Sequence, residues 1–208
     1  MKLEVALGAE TEVAVSLSLP ADARAAEPTP VDLSVAPGAE LGLARAWQLA
    51  GGARAELVCV HAPPTRWAPG LERAVLDGAT AVARRLAGFA TTVPGPVSEA
   101  DAVVTQPFEL AAPGRHALGR HALGFAAPHR TVVLCTVACT ERDGGGPCAP
   151  LAESLVLSGS LGPPPEGSLV TRALLWSATH PWPALGGLGL LTLLLAGLVL
   201  WRRPRPRP

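Results

Sequence analysis

TVVLCTVAC, residues 131–139, is the stretch on which the reading of the fold turns. It is almost unbroken in apolar and β-branched side chains, which suits a central strand covered on at least one side. Just upstream, residues 115–125 (RHALGRHALGF) read as its hairpin partner, with the turn near residues 126–129. Downstream, residues 141–147 (ERDGGGP) form a turn, and Pro147 to Leu155 reads as a short helix carrying Leu151 and Leu155.

Further out the period changes. In PGLERAVLDGATAVARRLAG (69–88), Leu71, Val75, Ala79, Val82 and Leu86 recur three and four apart. Glu72, Arg73, Asp77, Arg84 and Arg85 fall elsewhere, and Pro69 and Gly88 punctuate the ends, so this is an amphipathic helix. Before it come short strands: Glu12 to Leu19, where Val13, Val15, Leu17 and Leu19 alternate with small or polar residues, then Val31 to Val35, Leu41 to Leu49 and Ala55 to Val60. Residues 20–30 and 91–98 read as loops, and Asp101 to Leu110 as an extended segment interrupted by Pro107. The order is strands, long helix, strands, short helix. It predicts an α+β fold over residues 1–160, an antiparallel sheet packed against one long and one short helix.

That order resembles the PsbP-like fold, also seen in EagR-type secretion chaperones and DcrB-like proteins. The residues that carry the resemblance are EVAVSLSLP (12–20), AELVCV (55–60), the helix LERAVLDGATAVARRLAG, and GFAAPHRTVVLCTVAC followed by a turn and PCAPLAESLVLSG. It spans about residues 10–160 and is one of pattern and order, without a signature motif. The resemblance implies a non-enzymatic assembly factor, chaperone or interaction module, and it supplies no catalytic residues. The absence of a lipoprotein cysteine near the N-terminus and the appended hydrophobic segment depart from many exported members, which leaves the compartment open.

That segment is ALGGLGLLTLLLAGLVLW (184–201), 18 uncharged residues. As a helix it would span about 27 Å, close to a bilayer's hydrocarbon thickness. Trp182 and Trp201 bracket it as interfacial tryptophans do, and Arg202 and Arg203 open the basic tail of residues 202–208. Residues 161–183 read as a Pro-rich linker and interfacial segment. The expectation is a bacterial single-pass protein with a transmembrane helix at its C-terminus. Glu4, Glu10 and Glu12 interrupt the only candidate signal peptide, which favours a tail-anchored chain with a cytoplasmic domain; the tail arginines argue for the periplasmic side. All 17 acidic residues but only 13 of the 17 basic ones precede the tail, so residues 1–201 carry −4. Such a domain is a poor match for nucleic acid, while the tail suits anionic lipid headgroups.

Little in the chain points to chemistry. Cys59, Cys135, Cys139 and Cys148 allow three full pairings. Cys135 and Cys139 lie roughly 13 Å apart on one face of a strand and cannot bridge each other. Cys139 and Cys148 flank a turn and can form a disulfide, whereas in a cytoplasmic domain all four would be small buried side chains. No cysteine or histidine spacing suits zinc, so no metal or cofactor is expected. In the tandem repeat 115–119 and 120–124, His116 and His121 lie five apart and face opposite ways along a strand, which reads as a pair of exposed hairpin histidines. Glu72 and Asp77 read as solvated. The function expected is a membrane-anchored, non-catalytic interaction module binding the bilayer and a protein partner there; the rival is a tethered enzyme or redox sensor with a scattered site.

Overall fold

A computed structural model of the chain describes residues 2–6, 12–31, 33, 38–63, 67, 70–127, 131–142 and 146–164. The TVVLCTVAC stretch lies in a strand of 11 residues, Thr131–Glu141, in the middle of a large antiparallel sheet. In chain order the strands are β1 (Lys2–Ala6), β2 (Val13–Ser18), β3 (Arg24–Ala26), β4 (Glu40–Gln48), β5 (Arg54–Ala62), β6 (Thr91–Pro94), β7 (Ser98–Ala100), β8 (Val103–Ala112), β9 (Arg115–Ala126), β10 (Thr131–Glu141), β11 (Val156–Gly159) and β12 (Leu161–Gly162). The helices are α1 (Glu72–Ala87) and α2 (Cys148–Glu153).

The large sheet runs β3-β4-β5-β10-β9-β8-β6, with β7 also pairing β8 and β12 pairing β9. Strand alternation gives β10 two different faces. Val133, Cys135, Val137 and Cys139 point into one core, shared with Val13, Val15 and Leu17 of β2, Leu57 of β5 and Leu151 of α2. Val132 and Leu134 point the other way, into a core closed by Leu76 of α1 together with Leu123 and Phe125 of β9. Trp67 meets Phe125 edge-on, with ring centroids 4.8 Å apart.

The α+β expectation is therefore corrected. More than half of the described residues are strand. The helices hold 16 and 6 residues, and the first core is roofed chiefly by a second sheet, β1-β2-β11, with α2 beside it. The cause is non-local pairing. Val156 of β11 lies opposite Ser16 of β2, so neither strand's partner is visible near it in the chain. The loops expected at 20–30 and 91–98 hold β3, β6 and β7, while Val31 and Leu33 are not in a strand. Pro107 does not interrupt β8, because it falls in the gap between Val103–Thr105, which β7 pairs, and Phe108–Ala111, which β6 pairs. The proline's missing N–H breaks no ladder there.

The expected helix is present, but its buried face is turned. Among its described side chains Leu76 and Thr80 are fully covered, while Val75, Ala79 and Val82 are only half-buried.

The transmembrane, single-pass and tail-anchored reading is also corrected: no helix among the described residues is long and apolar enough to cross a membrane. The longest, α1, would reach about 24 Å and carries charges along its length. Residues 165–208, which include Trp182, Trp201, Arg202, Arg203 and the 184–201 segment, lie outside the described residues.

Candidate functional site

The repeat in β9 sets two kinds of site, because a period of five is odd and sends equivalent residues to opposite faces. Ala117 and Ala122 are both buried, one on each side of the sheet. His116 lies on the face of the first core, half-buried, and its Nε2 meets Glu109 Oε1 at 2.6 Å. His121 lies beneath α1. The reading of both histidines as exposed is corrected: His121 has no solvent-accessible surface.

Around His121 the partners are specific. Thr80 donates its hydroxyl to Leu76 O at 3.1 Å, one turn back on α1, so its oxygen accepts the His121 Nε2–H at 2.8 Å. That leaves Nδ1 as an acceptor for the hydroxyl of Thr136, directly opposite on β10, at 2.8 Å. Phe108 stacks on the ring at 4.5 Å. Burial pulls the imidazole from 6.5 down to about 3, against the upward pull of the Asp77 carboxylate. Asp77 in turn accepts from Gln106 Nε2 at 3.0 Å and faces Arg73 at 3.7 Å, so it is engaged as well as partly solvated. The cluster is a neutral clamp between helix and sheet. It is closed to solvent, so it offers no route for a substrate to reach His121.

The second site is open. Where β5 and β9 begin and β10 ends, the chain leaves a cleft of about 330 Å³. Arg54, Glu56, Arg115, Thr140, Glu141 and Arg142 line it, with Phe89 just beyond α1. Arg54 gives two N–H groups to Glu56 Oε1, at 2.7 and 2.9 Å, and Thr29 adds its hydroxyl at 2.8 Å. The Arg115 guanidinium sits 5.2 Å above the Phe89 ring. Glu141 is 6 % exposed and its carboxylate packs against Gly146.

The cysteines brace this region. Cys139 of β10 and Cys148 at the start of α2 are joined, with Cα atoms 5.1 Å apart. Cys59 and Cys135 are also joined; they are direct register partners on β5 and β10, with Cα atoms 4.1 Å apart. Sequence reasoning missed this second bridge because its signal is a register, not a spacing. Among the described residues, no three His, Cys, Asp or Glu side chains converge on a metal position.

No family model matches the chain. No curated protein matches it either. Among solved structures it is similar to LpqN, described as involved in cell envelope biogenesis of Mycobacterium tuberculosis. The match has 13% identity and a TM-score of 0.42, and covers 76% of this chain and 91% of LpqN. Neither a family nor a function transfers at that level of likeness. The PsbP-like resemblance stays an expectation.

Proposed function

We propose that this chain is a non-catalytic binding module that works in an oxidising compartment and holds a protein partner at the cleft formed by the ends of β5, β9 and β10. The observation that carries the reading is the bracing of the cleft wall. The Cys139–Cys148 bridge ties β10 to the start of α2, and the Cys59–Cys135 bridge ties β10 to β5. A wall fixed before binding loses little conformational freedom when a partner docks.

Two disulfides favour an oxidising compartment over the cytoplasm, where thiols are kept reduced. Binding is favoured over catalysis because the most perturbed titratable group, His121, has both ring nitrogens occupied by threonine hydroxyls and is sealed from solvent.

The test is a photo-crosslinking side chain placed at Thr140, in the cleft, and at Val156, exposed on the smaller sheet. The reading expects one partner, captured from Thr140 and not from Val156, which then binds the purified full chain unchanged. Capture only from Val156, or chemical conversion of the bound molecule, contradicts it.

A further inference from the structure

We infer that the cleft recognises a primary ammonium group of the partner protein, taken by the Glu141 carboxylate with His116 beside it. This rests on the cleft being the binding site.

Glu141 closes β10 and lines the cleft. It is 6 % exposed, and neither of its carboxylate oxygens has a hydrogen-bond partner. His116 stands directly opposite on β9, and register partners present their side chains on one face of the sheet. His116 donates its Nε2–H to Glu109 Oε1 at 2.6 Å, which leaves Nδ1 as an acceptor. That nitrogen is also buried and without a partner. Two opposed residues thus hold three acceptor atoms and no donor for any of them. Buried polar groups are ordinarily satisfied, and a carboxylate is among the costliest to leave without donors.

Count and charge decide what fits. A primary ammonium carries three N–H donors, no acceptor and a positive charge. A carboxylate or phosphate would only add acceptors, and a hydroxyl brings one donor and no charge. The arginines of the cleft do not reverse this. Arg54 is paired with Glu56 at 2.7 Å. Arg115 lies over Phe89 and has a further interaction of its own. Arg142 is exposed, so water and salt screen its charge, whereas burial shields Glu141 from both.

The experiment is a titration of the isotope-labelled full chain, near neutral pH, with three short peptides: one of lysines with an acetylated N-terminus, one without lysine but with a free N-terminus, and one of glutamates with an acetylated N-terminus. The amides of Thr140, Glu141 and Arg142 report binding. The inference expects shifts there with the lysine or the free N-terminus peptide, whichever arm gives them naming the source of the ammonium, and none with the glutamate peptide. Glu141→Gln should weaken binding by about tenfold or more. The same change should raise the thermal midpoint of the chain alone, because it removes an unpaired buried charge; a merely structural Glu141 would give a lower midpoint. Arg142→Gln should leave binding unchanged or strengthen it. No shift with either ammonium, equal shifts with the glutamate peptide, or a Glu141→Gln variant that binds unchanged or unfolds at a lower temperature would overturn the inference. If the Thr140 crosslink still captures its partner in that event, the cleft remains the binding site and only its preference for an ammonium falls.

Discussion

Thr80 on α1 accepts the Nε2–H of His121 on β9 at 2.8 Å, and the same hydroxyl donates to Leu76 O. A contact that holds the helix to the sheet therefore also selects the tautomer of the buried ring. The clamp is neutral, and it fits a ring held well below its ordinary pKa.

The first consequence is a pH dependence. His121 titrates near 6.5 when unfolded and near 3 when folded. Below pH 6.5 the unfolded chain binds a proton that the folded chain refuses, so this group's contribution is intact above 6.5 and is lost as pH falls toward 3. For one proton the loss is about 1.4 kcal/mol per pH unit, or about 2 kcal/mol at pH 5. Urea unfolding of the wild type and of His121→Gln between pH 7.5 and 4.5 measures it. The wild type should lose more stability over that range; parallel curves contradict the burial of a neutral ring.

Gly119 faces Phe108 across the β8–β9 ladder, and a Cβ there would overlap the Phe108 ring. Phe108 is also the ring that stacks on His121. Gly119→Ala should therefore destabilise the fold by about 1–3 kcal/mol through overpacking. The midpoint of thermal unfolding reads it, and an unchanged midpoint would place Phe108 elsewhere.

Asp101 and Ala102 form the two-residue turn between β7 and β8 with φ of 51° and 62°. Such hairpin turns favour glycine where φ is positive, and alanine has no polar side chain to offset the crowding. Ala102→Gly should stabilise by roughly 0.5–1 kcal/mol, seen as a higher denaturant midpoint with the same slope. A lower midpoint would mean that the turn is not left-handed.

The two bridges close loops of very different length, 76 and 9 residues in sequence separation. Chain entropy alone assigns about 4–5 kcal/mol to the Cys59–Cys135 link and about 3 kcal/mol to the Cys139–Cys148 link. Paired Cys→Ala variants should follow that order in thermal unfolding. The shorter link has a second role, bracing the cleft wall, so its loss should weaken binding at the cleft more than loss of the longer one.

What was legible in the chain was what is local. The pairing of β9 with β10 and the helix after residue 71 follow from periodicity and breakers within a few residues, while residues 143–145 of the expected turn lie outside the described residues. The smaller sheet was not legible. In β1, Leu3 and Val5 are half-buried between the exposed Glu4 and Ala6, the alternation of a half-covered strand, but a run of five residues is too short for that period to stand out. Its neighbours β2 and β11 meet across some 140 residues, as Ser16 opposite Val156 shows. The spacing of His116 and His121 told that they part company, but not that His121 lies under a helix whose Thr80 replaces an apolar residue. The cleft draws Arg54, Arg115 and Arg142 from three strand ends, and only the register brings them together.

The most direct measurement is a disulfide map of the full chain, secreted and digested without reduction, read by mass spectrometry. The account predicts one peptide pair joining Cys59 to Cys135 and another joining Cys139 to Cys148, with no free thiol. The first pair reports the β5–β10 register, and the two together report the oxidising compartment. Four free thiols, or any other pairing, would contradict both the sheet and the setting in which the module is proposed to act.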